Sequence, residues 1–209
     1  MTGRQALALS RVGFAVLAMA AILVQLLDLA GKGTLNPVNY FSYFTIQSNL
    51  IAVAALLVAA ATWRVARSKM VDFFRGAATT YMTVTFVVFA LLLADTDVDT
   101  AIVWVDRVLH RVIPIVMMAD WLLDPPNSRI DLRRAMWWAA YPVAWVAYTM
   151  VRGAIVGTYP YPFLDPANGG YGTVLVYSVA ILIGLLIFIY AIVWIGNAMR
   201  ERRMPEGAR

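Results

Sequence analysis

The chain has 209 residues, of which 62% are hydrophobic and 14% are charged, and its formal net charge is +5. Soluble domains contain roughly 45–50% apolar and about 25% charged residues, so this composition predicts an integral membrane protein. The sequence has no cysteine and one histidine, which excludes disulfides, thiolate metal sites and multi-histidine metal sites. We therefore expect neither a metal ion nor a cofactor.

Six long apolar runs follow one another along the chain and predict six transmembrane helices. The runs cover residues 9–31, 41–63, 74–95, 101–123, 132–157 and 173–197. A helix needs roughly 20 residues to cross the hydrocarbon core, and irregular backbone cannot face lipid. Only short linkers and tails remain, so we expect an all-α integral membrane bundle in a single domain, residues 1–209. Tryptophans near the ends of these runs match the aromatic belts of membrane proteins: Trp63, Trp104, Trp121, Trp137 and Trp138.

Basic residues indicate which ends of the predicted helices face the cytoplasm. They cluster before the first run, between the second and third, between the fourth and fifth, and after the sixth: Arg4, Arg11, Arg64, Arg67, Lys69, Arg75, Arg129, Arg133, Arg134, Arg200, Arg202, Arg203 and Arg209. The opposite loops are mainly acidic, in particular the segment 95–99. By the positive-inside rule, this pattern predicts a multi-pass protein of the cell membrane with both termini in the cytoplasm. The positive charge then serves topology and contact with membrane lipids, and we expect no nucleic-acid partner.

Polar residues lie inside the predicted spans at similar depth in four different helices. An ionisable side chain in the bilayer core costs roughly 2.5–3.5 kcal/mol on insertion scales, so each such residue needs a reason. With the orientation above, several fall in the half of the membrane away from the cytoplasm: Asp28, Thr45, Gln47, Ser48, Asn49, Asp106, His110 and Arg152. Their common depth predicts a polar pocket that opens toward the extracytoplasmic side.

Helical spacing groups several of these residues on common faces. Asp106 and His110 are four positions apart and share one face of span four, where a carboxylate can hold one imidazole nitrogen and leave the other as a base. Thr45 and Asn49 share a face of span two in the same way. Pro114 follows His110 by four residues, and its missing N–H predicts an unpaired His110 carbonyl and a helix kink.

The residues alone leave other interpretations open. A buried histidine can be a packing residue, and threonine and asparagine in membrane helices most often form interhelical hydrogen bonds. Intramembrane Asp, His and Arg also suit a small proton-coupled transporter, although the sequence has no visible internal repeat. A non-catalytic, lipid-binding scaffold is the third alternative, and it predicts that the side chains of Thr45 and His110 lie far apart.

Three short motifs resemble one family of membrane proteins. They are Tyr43-Phe44-Thr45 at the start of span two, Leu109-His110 in span four and Tyr161-Pro162-Phe163-Leu164 after span five. Pro114 and the acidic residue Asp120 follow the second motif. In the order and spacing of these motifs, the chain resembles, along most of its length, the androgen-induced protein family. That family includes the androgen-dependent regulator of tissue factor pathway inhibitor and many uncharacterised actinobacterial membrane proteins.

The resemblance implies an intramembrane threonine hydrolase that cleaves fatty-acid esters of hydroxy fatty acids. Carried over by motif position, Thr45 is the expected nucleophile and His110 the expected base. Some animal members have a second histidine where this chain has Arg107, preceded by an asparagine where it has Asp106. These departures allow a different lipid ester, drawn from the bilayer, as the substrate and partner of this chain.

The hydrolase hypothesis gives the remaining polar residues supporting roles. His110, held by Asp106, would accept the Thr45 proton, so that Thr45 attacks the ester carbonyl and forms an acyl-enzyme that water hydrolyses. Helical spacing favours side chains of span two as donors to the developing oxyanion: Asn49, Gln47 and Ser48. Arg152 and Asp28 are the predicted substrate-binding residues, with Arg152 facing a fatty-acid carboxylate.

Overall fold

The computed structural model describes residues 2–94 and 102–203, and every regular element in these two ranges is helical. The α-helices are α1 (Gly3–Gly31), α2 (Pro37–Ser42), α3 (Phe44–Ala61), α4 (Lys69–Val88), α5 (Val103–Arg107), α6 (Ile113–Leu123), α7 (Leu132–Ala135), α8 (Ala140–Val156) and α9 (Gly170–Arg203). The predicted acidic segment 95–99 and the basic residue Arg209 lie outside the described residues. The prediction of an all-helical protein is confirmed.

Several helices continue through turns that are not α-helical. Helix α4 runs on into a π-helical turn, Phe89–Leu93, and a second π-helical turn, Val108–Val112, joins α5 to α6. A 3-10 turn, Met136–Ala139, joins α7 to α8 in the same way. The chain is therefore helical over 103–123 and over 132–156, which are two of the apolar runs seen in the sequence.

The surface of the longest helices is that of a membrane protein. Within the described residues, four helical segments are long and apolar enough to cross a membrane: Gly3–Gly31, Phe44–Ala61, Lys69–Leu93 and Gly170–Arg203. Large apolar side chains on their outer faces are exposed, for example Leu27 (68%) and Ile187 (59%). Such a surface is a liability in water but matches lipid chains. The other two predicted spans, and the orientation of all six, stay predictions.

Small residues allow α1 and α3 to pack closely. Their buried faces carry alanines three or four positions apart: Ala15, Ala18 and Ala21 in α1, and Ala52, Ala55 and Ala59 in α3. Because lipid chains are as apolar as leucine, membrane helices associate mainly through close packing of this kind. Helix α3 also packs against α4, and α4 packs against α6 and α9, so α3 and α4 form the most enclosed part of the bundle.

Two tryptophans that were predicted for the aromatic belts lie in the core instead. Trp121 is 1% exposed and Trp138 is 2% exposed. Glycines on neighbouring helices provide the space, because a Cβ at Gly76 would lie 2.4 Å from the Trp138 ring and one at Gly196 would lie 2.6 Å from the Trp121 ring. The indole N–H of Trp121 donates to the carbonyl of Ile192 at 3.0 Å. For these two residues the belt prediction is wrong, because complementary glycines on other helices bury them.

A buried charge network joins α1, α4 and α6 at the end of the bundle where α4 begins. It consists of three arginines and three aspartates: Arg11, Arg67, Arg75, Asp72, Asp120 and Asp124. Asp120 is 5% exposed and accepts hydrogen bonds from Arg11 Nε and Arg75 Nη2, both at 2.6 Å. Arg11 and Arg75, which the sequence analysis treated as flanking charges, are therefore interior residues with dedicated partners.

The arginines of this network lower the pKa of one of its aspartates, Asp124. Asp124 accepts from Arg11 Nη2 at 2.6 Å and also binds Arg67. Burial raises the pKa of the Asp124 carboxyl, but the hydrogen bond from Arg11 and the charges of Arg67 and Arg75 outweigh it and hold the pKa below its ordinary value. The network is thus neutralised from within the protein.

Replacing Asp120 by alanine should strongly destabilise the protein, because Arg11 and Arg75 would keep buried charges without this partner. Removing one member of a buried ion pair costs about 3–5 kcal/mol, and thermal unfolding in detergent measures the loss. Asp28→Ala is the control, since it removes the partially exposed partner of Lys32 (2.7 Å) and should cost less than about 1 kcal/mol. Equal losses in the two variants would show that the network stabilises no more than a surface pair.

Candidate active site

A break between α2 and α3 places Thr45 in the first turn of a helix. The predicted span 41–63 is interrupted at Tyr43, whose backbone is extended (φ −67°, ψ 130°). The carbonyl of Ser42 accepts a hydrogen bond from Trp145 Nε1 at 2.9 Å. No glycine or proline marks the break, so tertiary contacts hold it. Thr45 is consequently the second residue of α3, where backbone N–H groups have no helical acceptor.

Three side chains from distant parts of the chain meet at Thr45. Its Oγ1 lies 3.2 Å from His110 Nε2 and 3.2 Å from the hydroxyl oxygen of Tyr161. The backbone N–H of Thr45 donates to the same tyrosine hydroxyl at 3.2 Å. All three residues are buried. The structure therefore brings together α3, the π-helical turn before α6 and the loop before α9.

His110 is held at its second nitrogen and across its ring face. Nδ1 lies 3.2 Å from the backbone carbonyl oxygen of Asp106, toward which its N–H points, and 2.9 Å from the Oδ1 carboxylate oxygen of the same residue. Because both neighbours are acceptors, Nδ1 carries the ring proton of this tautomer and Nε2 presents its lone pair to Thr45. The ring of Phe89 stacks on the imidazole, with centroids 4.2 Å apart and an interplanar angle of 17°.

The π-helical turn that carries the histidine is coupled to Pro114. The sequence predicts that Pro114 leaves the His110 carbonyl unpaired, and the structure shows that the carbonyl of Leu109 has no helical donor. The N–H of Ile113 donates to the carbonyl of Val108, five residues back, and Pro114 has no N–H. Neither residue can therefore serve the carbonyl of Leu109. Single π-helical turns of this kind are frequent at functional sites.

Asn49 supplies the missing donor. Its Nδ2 donates to the carbonyl of Leu109 at 3.1 Å and to the carbonyl of Thr45 at 2.8 Å. Asn49 is completely buried, so neither carbonyl depends on solvent. One side chain thus links the first turn of α3 to the turn of the histidine and fixes their separation.

The three predicted oxyanion donors of span two have other partners. Asn49 uses its amide on two carbonyls, and Ser48 Oγ donates to the carbonyl of Thr45 at 3.1 Å. Gln47 lies on another face of α3, where its side-chain oxygen accepts from the hydroxyl of Tyr141. Side chains three and four positions later in a helix reach the backbone carbonyl of a residue, whereas the Thr45 hydroxyl points elsewhere.

Tyr161 occupies the place where those donors were expected. Burial raises the pKa of Tyr161 to about 12, although hydrogen bonds with Thr45 lower it, so the hydroxyl keeps a proton that it can donate. Its ring stacks on Phe163 (centroids 5.3 Å apart, 3° between planes) and meets Tyr43 edge-on. Tyr161 belongs to the third motif, but the sequence predicts no role for it, because nothing but that motif relates a loop residue to span two.

The predicted substrate-binding residues lie farther out. Arg152 Nη2 donates to Asn39 Oδ1 at 3.3 Å, and Asp28 forms an ion pair with Lys32 at 2.7 Å. Asp28, Lys32 and Asn39 line a cavity that reaches Thr45, whereas Arg152 contacts this cavity only through Asn39. Within the residues that the structure describes, none of these side chains forms a hydrogen bond with Thr45.

Two cavities meet at Thr45, His110 and Tyr161. One has a volume of about 70 Å³ and is mainly apolar, lined also by Phe44, Val84, Thr85, Val88, Phe89, Leu93, Pro142, Trp145, Val146, Phe163, Leu164, Ser178 and Ile181. The other has about 390 Å³ and includes a polar group of side chains: Gln25, Asp28, Lys32, Thr34, Asn36 and Asn39. The Thr45 hydroxyl therefore lies where an apolar cavity joins a polar one.

Metal ligands are not grouped in the described part of the chain, where no three His, Cys, Asp or Glu side chains are placed to hold an ion.

Comparisons with protein-family models, curated proteins and solved structures found no match. The contacts of Thr45, His110 and Tyr161 are therefore the basis for assigning a function.

Replacing Asn49 by leucine should destabilise the protein, because the buried carbonyl of Leu109 would lose its donor. An unsatisfied buried carbonyl costs about 1–3 kcal/mol, which thermal unfolding in detergent detects. Asn168→Leu is the matched control, since the Asn168 amide also donates to a carbonyl, that of Pro162 at 3.0 Å, but is exposed. If both variants lose the same small amount, Asn49 does not compensate for Pro114.

Proposed function

We propose that this protein is an intramembrane hydrolase of lipid esters, with Thr45 as its nucleophile and His110 as its base. The observation that carries the proposal is the 3.2 Å contact between Thr45 Oγ1 and His110 Nε2. Asp106 lies on the other side of the same imidazole. The N–H of Nδ1 points to the backbone carbonyl of Asp106, and this acceptor holds the imidazole so that Nε2 can activate the hydroxyl for acyl transfer. The alternative of a non-catalytic scaffold instead predicts that these two side chains lie far apart.

The contacts support a two-step mechanism. His110 Nε2 accepts the hydroxyl proton as Thr45 Oγ1 bonds to the ester carbonyl carbon, and the carbonyl oxygen becomes an oxyanion. The intermediate collapses when the bond to the alcohol oxygen breaks, and His110 returns its proton to that oxygen. Water then attacks the acyl-Thr45 ester with His110 again as the base, which releases the fatty acid and restores the hydroxyl.

The oxyanion receives its donors from Tyr161 and from the start of α3. The Tyr161 hydroxyl lies beside Thr45 Oγ1 and keeps its proton. The N-terminus of a helix also carries a partial positive charge on its free N–H groups. Donors of this kind, fixed before the charge develops, usually supply the largest single contribution to catalysis.

The two cavities suggest how a lipid ester is divided at the site. The acyl chain occupies the apolar cavity, which Val88, Phe89 and Trp145 help to line. The alcohol part occupies the wider cavity with its polar residues. A free carboxylate on this part, as in a fatty-acid ester of a hydroxy fatty acid, meets Lys32 beside Asp28, with Arg152 behind Asn39.

The family relation forms part of the same proposal. Thr45, His110 and Tyr161 each belong to a different one of the three motifs that resemble the androgen-induced protein family. In the fold, Thr45 contacts both His110 and Tyr161. Motifs that are separate in sequence and joined in space support a common site more strongly than any one of them does.

In this proposal the helical segments 103–123 and 132–156 complete a set of six spans in the cell membrane. At 1.5 Å per residue, each is long enough for a hydrocarbon core of about 30 Å. The basic residues favour an orientation with both chain ends in the cytoplasm. The catalytic residues then belong to the extracytoplasmic half, where the ester enters from the outer leaflet.

Replacing Thr45 by valine should abolish labelling by a fluorophosphonate probe, because valine keeps the shape of threonine and lacks Oγ1. His110→Gln should slow labelling by about 10²–10⁴-fold, the usual contribution of a general base. Gel fluorescence of the detergent-solubilised protein measures both. The control is Thr83→Val, since this buried hydroxyl donates to the carbonyl of Thr79 at 2.8 Å.

Wild-type labelling of Thr45→Val would remove Thr45 as the nucleophile. Solute flux into liposomes that requires His110 and is indifferent to Thr45 would favour the transporter. In each case the unfolding midpoint of the variant must match that of Thr83→Val, so that loss of the fold is not counted as loss of chemistry.

Tyr161→Phe should lower kcat for ester hydrolysis by about 10²-fold with little change in KM, as for the loss of one oxyanion donor. Phenylalanine keeps the stacking on Phe163 and removes the hydroxyl. Tyr81→Phe is the comparison, because this buried hydroxyl donates to the carbonyl of Trp138 at 2.9 Å, away from Thr45. A fall in kcat of the same size in both variants would indicate a structural effect and remove Tyr161 from the chemistry.

A further inference from the structure

A third cavity lies at the opposite end of the bundle from Thr45. Its volume is about 460 Å³, and its lining includes Lys69 and Phe73 of α4 and Arg129 of the loop after α6. Thr45 is in the first turn of α3, and α4 starts only after α3 has ended. The length of α3, about 24 Å from Thr45 onward, therefore separates the two sites.

Three cations surround this cavity: Lys69, Arg129 and Arg134. None of their side chains forms a hydrogen bond or an ion pair within the described part of the chain. The one carboxylate in the lining, Asp131, accepts from the backbone N–H of Arg133 at the start of α7. Three positive charges and one negative charge leave a net charge of +2 around the cavity.

The neighbouring interior arginines have a different arrangement. Arg11 and Arg75 both bind Asp120 at 2.6 Å, so the protein provides anions for the cations that its own fold requires. The cations of the third cavity are exposed and have no such partner. Their charge is therefore available to an anion from outside the chain.

The cavity also has an apolar wall and an exposed apolar rim. Ile130 is buried, and Phe73 packs against the ring of Trp138 at 5.3 Å. Trp137 and Met70 line the same cavity and are 75% and 73% exposed. Free phosphate would use the cations alone. A molecule with both a phosphate and acyl chains would use the cations and the exposed apolar side chains together.

The position of the cavity along α4 fits such a molecule. Lys69 is the first residue of Lys69–Leu93, a segment long and apolar enough to cross a membrane. The cavity therefore lies where a bilayer has its phosphate groups, and tryptophan together with basic side chains is typical of that depth.

We propose that this cavity binds an anionic phospholipid. Lys69, Arg129 and Arg134 bind its phosphate, and its acyl chains lie along Met70 and Trp137. The site is independent of the proposed hydrolase, because no residue lines both this cavity and the two that meet at Thr45.

The test measures lipid binding to the whole protein in detergent, by native mass spectrometry and by the shift in unfolding midpoint. The probes are phosphatidylglycerol, phosphatidylcholine with the same acyl chains, and inorganic phosphate. We expect phosphatidylglycerol to bind at least about tenfold more tightly than phosphatidylcholine and to raise the midpoint, since a ligand of the folded state stabilises it. Inorganic phosphate should give little shift.

Two triple variants carry equal changes in charge. Lys69→Gln, Arg129→Gln and Arg134→Gln together should weaken phosphatidylglycerol binding at least about tenfold. Arg4→Gln, Arg64→Gln and Arg202→Gln together remove three positive charges outside the cavity and should leave binding close to wild type. Without lipid, both variants should unfold at the wild-type midpoint.

Three kinds of result would overturn the proposal that the cavity binds an anionic phospholipid. Equal weakening in the two triple variants would reduce the effect to general surface charge. Equal binding of phosphatidylcholine, or equal stabilisation by inorganic phosphate, would exclude an anionic phospholipid as the specific ligand. A lower midpoint of the cavity variant without lipid would show that the three cations stabilise the protein itself.

Discussion

The proposed site depends on backbone groups that their own helices leave unpaired. The carbonyl of Ser42 at the break before α3 binds the indole of Trp145, and the carbonyl of Leu109 binds the amide of Asn49. In a low-dielectric interior, an unsatisfied carbonyl is expensive, so these two bonds fix where α3 begins and how far it lies from the histidine. The position of Thr45 follows from both.

The two ends of the bundle use polar groups in different ways. Between two cavities, the hydroxyl of Thr45 contacts one imidazole and one phenol. At the other end, Arg11 and Arg75 are neutralised by Asp120. Chemistry requires groups that can still exchange partners, whereas stability requires groups that are already satisfied. The separation of the two sets along the bundle lets each set meet its own requirement.

Sequence periodicity predicted that the chain is helical, and it paired Asp106 with His110 on one face. It failed where the outcome depends on contacts between helices. The break at Tyr43 has no local signal, since tertiary hydrogen bonds hold it. Trp121 resembles a belt residue until Gly196 of another helix is known to receive it. Helical spacing identifies which residues share a face, but not which atom of a neighbour each one reaches.

The π-helical turn at Val108–Val112 has a geometric consequence for the whole fourth helical segment. One additional residue within a turn shifts the angular phase of the helix by about 100°. Everything before the turn is thereby rotated about the helix axis relative to everything after it. Asp106 and Asp120 therefore point in relative directions that an uninterrupted α-helix would not give them. Near one end of the segment the carboxylate of Asp106 lies beside the imidazole, and near the other the carboxylate of Asp120 binds two guanidinium groups.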